Sequence, residues 1–127
     1  MKKVFLDVKS KNPGHYAPGI ISKGMLYVSG QLPKNLDTGK IVEGGLEAQT
    51  LQALQNVERV LVAGGCTLAD VVMTRVYISN MDNWDIVNKI YADYFGEHTP
   101  ARVVVPTREL HFGALIEIEA MAELPEE

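Results

Sequence analysis

With one cysteine in 127 residues the chain forms no internal disulfide, and Cys66, behind Gly64-Gly65 at a predicted helix end, reads as a buried or half-buried thiol. Aromatic residues make up only 7% of the chain. Twelve Lys and Arg stand against sixteen Asp and Glu, a net charge of −4 with no basic block and no basic helix face. Such a sequence offers little to nucleic acid or to an anionic membrane. No apolar run approaches the roughly 18 residues of a membrane span, and Asp7, Lys9 and Lys11 interrupt the stretch where a signal peptide would need its apolar centre. The expectation is a soluble, cytoplasmic protein with no membrane or nucleic-acid partner. Neither G-x-G-x-x-G nor G-x-x-x-x-G-K-[ST] occurs, and no G-x-S-x-G elbow surrounds Ser29, so that hydroxyl reads as a ligand hydrogen-bonding group rather than a nucleophile. His15, His98 and His111 lie in separate segments, none with a second ligand at metal spacing, and no metal site is expected.

What is present fits one domain, residues 1–127, with 46% hydrophobic and 22% charged residues and no linker-like stretch. Val4-Phe5-Leu6 reads as a short strand, followed by a loop through residues 12–16 that displays Tyr16. Gly19 to Ser22 and Met25 to Ser29 flank Lys23-Gly24 and predict a β-hairpin, while the turn formers from Leu32 to Gly44 predict an exposed excursion. Leu51, Leu54, Val57, Val60 and Leu61 recur at three and four, the pattern of an amphipathic helix from Leu46 to Val62 stopped by Gly64-Gly65. A capped turn at Thr67 to Asp70 leads into a strand from Val71 to Ile78. A second helix follows from Asn83 to Phe95, with Trp84, Val87, Ile90, Tyr91, Tyr94 and Phe95 facing inward and Gly96 as its stop. Ala101 to Val105 and Leu115 to Glu123 are the last strands. The order is α+β: a sheet of about six strands with two helices on one face.

Two helices cover only one side of such a sheet, yet Met25 to Val28, Val71 to Val76 and Val103 to Val105 are apolar on both faces. The bare side is expected to pack on another copy of the chain. Charges set into these strands carry the chemistry. Arg102 opens a Val run between Pro100 and Pro106, and Glu117 and Glu119 alternate with Ile116, Ile118 and Ala120, so both carboxylates share one strand face. Three readings stand side by side: a solvated strand face, a structural ion pair with Arg102, or a guanidinium fork for a substrate carboxylate near a working glutamate. Arg75 is a rival anion site or a structurally paired charge, and His111 reads as a loop residue before the last strand.

Several segments carry a resemblance in common. They are Gly14-His15-Tyr16, Val28-Ser29-Gly30-Gln31-Leu32-Pro33, Gln49 with Asn56-Val57, Val87-Asn88 with Tyr91 and Phe95, Pro100-Ala101-Arg102, and Ile116-Glu117-Ile118-Glu119-Ala120. Over nearly its whole length the chain resembles the Rid (reactive intermediate deaminase), or YjgF, family. The resemblance implies a chorismate-mutase-like α+β fold and a homotrimer with sheets facing inward and clefts between subunits. It also implies that Arg102 binds a carboxylate, that Glu117 places a water, and that backbone groups at Gly30 and Val104 contact the ligand. Tyr16, Ser29 and Asn88 would line the cleft, Tyr16 reaching in from the neighbouring chain. The implied activity is that of a 2-iminobutanoate/2-iminopropanoate deaminase, hydrolysing enamine and imine intermediates, such as those from 2-aminoacrylate, to 2-oxo acids and ammonia without metal or cofactor. Two departures stand out: members often have Gly-Pro-Tyr-Ser where this chain has Gly14-His15-Tyr16-Ala17, and a cysteine where Val104 stands. Other readings remain open, namely a trimeric 2-oxo acid binder without turnover, a ribonuclease or translation inhibitor as attributed to some relatives, or a structural trimer. Glu117 is the discriminator, because a pure carboxylate receptor gains nothing from an anion beside its ligand. Glu119, on the same strand face, is expected to be structural or to support the residues that touch the ligand.

Overall fold

Lys23 and Gly24 both take positive φ, 50° and 78°, the combination that matches a tight turn to the twist of two antiparallel strands. They join β2 (Gly19–Ser22) to β3 (Met25–Gln31), the hairpin expected from the sequence. The computed structural model describes residues 1–11 and 13–126. Around the hairpin it sets β1 (Lys2–Val4), β4 (Val71–Ile78), β5 (Ala101–Pro106) and β6 (Ile116–Glu123), with helices α1 (Gly45–Ala63) and α2 (Trp84–Phe95). Asn12, in the loop that leads to Tyr16, lies outside the described residues. The first strand sits earlier than Val4–Leu6, because backbone pairing with Gly19 to Ile21 defines it rather than apolarity; Phe5 is left exposed.

The six strands run in the order β1-β2-β3-β6-β4-β5, antiparallel throughout except for the parallel pair β4 and β5 that α2 connects. Both helices lie on one face, α1 over β3 and β6 and α2 against α1. Leu54, Val57, Val60 and Leu61 of α1 and Val87, Tyr91 and Phe95 of α2 meet Leu26, Val76, Ile78, Ile116, Ile118 and Ala120 from the sheet, all buried. This is the α+β architecture anticipated above. The face away from the helices carries Tyr27, Val72 and Val103, each about two-fifths exposed.

Two irregularities set the phase of the strands. A bulge between Val71 and Met73 lets Val71 and Thr74 both point into the core with Val72 turned out, and a second between Val28 and Gln31 buries those two residues while Ser29-Gly30 bridges them. Helix α1 departs from its apolar pattern in a similar way. Leu51 is exposed, whereas Gln49, Thr50 and Asn56 are buried, because each polar group has a fixed partner. Asn56 Nδ2 donates to the carbonyls of Leu32 (3.1 Å) and Lys34 (2.8 Å), which ties the excursion after β3 to the helix, and the Leu115 amide donates to Gln49 Oε1 at 2.8 Å. A hydrogen-bonded polar group inside is tolerated where an unpaired one would cost about 1–3 kcal/mol. Among the described residues no helix is long and apolar enough to cross a membrane.

Candidate functional site

Strand alternation places Glu117 on the face away from the helices, where it is half-buried against the bulge of β3. A methyl group added to Gly30 would come within 2.6 Å of Glu117 Oε2, so the carboxylate lies directly over the glycine backbone. Burial pushes its carboxyl above the usual carboxylate range; Glu119 adds to that push and His111 pulls the other way. Among the described residues Glu117 has no ion-pair partner. Glu119 is different. It accepts a hydrogen bond from the Tyr77 hydroxyl and lies 3.6 Å from Arg75 Nη1, so Arg75 and Glu119 pair with each other on this face. Ser29 Oγ donates to the Ala17 carbonyl at 2.7 Å and its amide to Pro18, which anchors the loop carrying the exposed Tyr16 beside this end of β3. The Ser29 hydroxyl is thereby used as a donor and can only accept from a ligand.

Arg102 belongs to the other face. It lies in register with Thr74, which pairs with the buried Ala120, and its guanidinium rests on α2: Nη1 donates to Asn88 Oδ1 at 2.9 Å, with Cζ 4.8 Å from the Tyr91 ring centre and 5.7 Å from that of Trp84. Trp84, Asn88 and Tyr91 stand at i, i+4 and i+7, one face of a helix, and that spacing could have marked the three as a guanidinium seat. Tyr91 is fixed in turn by Thr74, the two hydroxyls 2.7 Å apart. Val104, two residues on, packs on the core from the same side of β5. Arg102 is half-buried on β5, an edge strand of the sheet, and among the described residues its guanidinium makes one side-chain hydrogen bond, to Asn88.

The expected site residues thus form two groups. Glu117, Gly30, Ser29 and the Tyr16 loop are together on one side, and Arg102, Asn88 and Val104 on the other. One chain does not bring Arg102 and Glu117 together. Strand β4 separates their strands, a register offset of three residues separates them along the sheet, and their side chains leave opposite faces. If they act on one molecule, they do so from different copies.

A family model described as Endoribonuclease L-PSP matches residues 9–124. The chain belongs to this family, also called YjgF, RutC or Rid. A RutC family protein of Pyrococcus horikoshii is 41% identical over 123 residues, 96% of this chain and 98% of that protein. The human 2-iminobutanoate/2-iminopropanoate deaminase is 36% identical over 109 residues, 86% of this chain and 80% of its own. Among solved structures, the Rid protein YyfA of Yersinia pestis, of unknown function, superposes with a TM-score of 0.90 at 42% identity, covering 97% and 98% of the two chains. Escherichia coli TdcF, solved with bound serine, gives 0.91 at 28% identity over 98% and 100%.

In this Rid-family chain the closeness of Gly30 to Glu117 makes a direct test of the carboxylate's placement. Gly30→Ala is expected to fold with little loss of stability, since the added methyl meets only the movable end of a side chain, yet to slow any reaction that uses Glu117 by about 10- to 100-fold. Thermal unfolding measured alongside steady-state rates checks both halves; a rate equal to that of wild type would show that the carboxylate need not lie over residue 30. Cys66 is buried, and burial with Asp70 nearby pushes its thiol up, which makes it a poor nucleophile. His98, with Nε2 2.7 Å from the Val71 carbonyl, braces the start of β4.

Proposed function

We propose that this protein is an enamine/imine deaminase that converts 2-iminopropanoate, 2-iminobutanoate or related imines to 2-oxo acids and ammonia at clefts between the subunits of a homotrimer. The observation that carries the reading is the state of Glu117: a half-buried carboxylate on the sheet face away from the helices, over a glycine and without a cation partner among the described residues, while its neighbour Glu119 is paired with Arg75. A solvated strand face does not need that glycine, and a receptor for anions does not gain from that carboxylate. Relatives named as imine deaminases in human, rat and mouse, at 36–37% identity, support the same activity.

In this scheme Arg102 holds the substrate carboxylate by parallel hydrogen bonds while Asn88 and the two aromatic rings fix the guanidinium. Glu117 of the neighbouring copy takes a proton from water as its oxygen bonds to C2, and the C=N π pair moves to nitrogen. With the imine nitrogen protonated at the outset, this leaves a carbinolamine; Glu117 then passes its proton to the amine nitrogen, the C–N bond breaks with its pair going to ammonia, and the carbinolamine oxygen closes the carbonyl as its remaining proton returns to Glu117. Tyr16, Ser29 and the backbone of Gly30 and Val104 line the cleft. Acid–base work of this kind contributes on the order of 10²- to 10⁴-fold. Glu117→Gln is therefore expected to lower ammonia release, from an imine supplied by excess amino-acid dehydratase, by about two orders of magnitude or more. Because burial raises the Glu117 carboxyl, wild-type activity should fall on the acid side at a pH above the ordinary carboxylate value, as the group takes up its proton. A wild-type rate for the variant would refute the mechanism.

One rival has an observation of its own. TdcF holds serine in a structure of this fold, which favours small-carboxylate binding without turnover. On that reading Arg102→Ala abolishes binding while Glu117→Gln leaves it unchanged or tighter. The ribonuclease activity in the family's description gains no support from a chain of net charge −4.

A further inference from the structure

Arg75 comes within reach of Glu117 and, among the described residues, does not pair with it. In the register of β4 on β6, Arg75 stands opposite Glu119 and Tyr77 opposite Glu117, so the four side chains share one face and mark the corners of a square. Arg75 and Glu117 lie on one diagonal of it, with Cβ atoms roughly 7 Å apart, a span that a guanidinium on its long stem can close. The Arg75 side chain, 43% exposed, is not locked by packing against turning that way. What lies between the two is Tyr77.

The two carboxylates of β6 lean to opposite sides. Glu119 turns toward β4, where it accepts from the Tyr77 hydroxyl and pairs with Arg75 at 3.6 Å, while Glu117 turns toward β3, where its Oε2 lies over Gly30. To reach Glu119 from its place opposite Glu117, the half-buried Tyr77 side chain runs along the other diagonal of the square. The two diagonals cross, so the ring lies over the path from Arg75 to Glu117. It is fixed at both ends, at Cβ by the strand and at the hydroxyl by Glu119. The bond to Glu119, and after it burial, push that hydroxyl above its ordinary range, so it remains a donor at neutral pH. We propose that Tyr77 is a positioning residue for Glu117, its ring barring an ion pair between Glu117 and Arg75 so that the carboxylate stays over Gly30. Its role in turnover rests on the deaminase reading above; the barrier itself does not. An ion pair with Arg75 would occupy the carboxylate and draw it away from the water it has to meet, a misplacement of the kind that slows a reaction without weakening substrate binding.

Valine suits a strand but ends short of the crossing, whereas phenylalanine keeps the ring and loses only its anchor. A crystal structure of Tyr77→Val is expected to show the Glu117 carboxylate within about 4 Å of the Arg75 guanidinium. The same variant should lower kcat for imine hydrolysis about 10- to 100-fold with KM changed less than about threefold, and Tyr77→Phe should keep most of the rate. Adding Arg75→Gln to Tyr77→Val removes the competing cation and should raise kcat again by about fivefold or more, a rescue that a merely structural role for Tyr77 does not give. Thermal unfolding and sedimentation check that the variants compared are folded and assembled alike, with Tyr77→Thr in place of the valine if it is not. A carboxylate that stays over Gly30 in the variant structure, or a loss of rate that Arg75→Gln does not relieve, overturns the proposal even where hydrolysis depends on Glu117. A wild-type rate in Glu117→Gln overturns instead the reading of Glu117, and with it the role of Tyr77 in turnover, whatever the variant structure shows.

Discussion

Arg102→Ala is expected to lower kcat/KM for imine hydrolysis by about 10²- to 10⁴-fold while leaving the fold intact. Two parallel charge-assisted hydrogen bonds to a carboxylate contribute roughly 1.5–3 kcal/mol each, and their sum converts to that range of rate. The loss should fall on kcat as well as KM, because the same fork that binds the substrate also fixes C2 in front of the water. Arg102→Lys should recover little. A lysine ammonium has no planar fork with which to hold Asn88 on one side and a carboxylate on the other, and it would lose the stacking on Tyr91 and Trp84. Stability should change little, since Asn88 Oδ1 is left near the rim where water can replace the lost donor. Steady-state kinetics with a thermal melt decide the matter; a wild-type kcat/KM in Arg102→Ala would remove Arg102 from the site.

Much of this architecture is legible in the chain because it rests on local physics. Lys23-Gly24 must turn, Gly64-Gly65 must end a helix, and the β-branched run from Val71 to Ile78 is observed with the bounds it suggests. The pairing of Arg102 with Glu117 is another kind of statement. Period-two alternation says which residues of one strand share a face, so Glu117 and Glu119 could be grouped at once. It does not say which face, because that depends on the register of β5 on β4 and of β4 on β6, and on a bulge at Val72 that shifts the phase by one residue. Three residues of register set Arg102 level with Ala120, across Thr74 of β4, instead of with Glu117. Gly30 under Glu117 depends on the other bulge, which lies between Val28 and Gln31 of β3. Buried Asn56 and exposed Leu51 escaped the helical pattern for a related reason: hydrophobic periodicity counts side chains and does not see which loop carbonyls need a donor.

Two inactive variants are expected to restore each other when their subunits are combined. Within one chain, two strand spacings and three residues of offset put Arg102 and Glu117 about 10 Å apart in each in-plane direction, and they leave opposite faces of the sheet. No molecule the size of a short 2-oxo acid touches both. Arg102→Ala keeps the half-site of Glu117, Gly30 and Ser29; Glu117→Gln keeps that of Arg102, Asn88 and Val104. In a closed ring each cleft takes one half-site from each of two neighbours, so equal, random assembly leaves about one cleft in four with both halves intact. Co-expression with two affinity tags, or joint refolding, should therefore give mixed oligomers with roughly a quarter of wild-type activity, against about a hundredth or less for either variant alone. The double variant mixed with wild type separates the alternatives from the opposite direction. If each chain held its own site, half the clefts would survive equal mixing; if neighbours share them, only about a quarter do. Mixed oligomers that stay inactive would mean that the two half-sites never meet, and the rim position of Arg102 would then need another ligand to explain it.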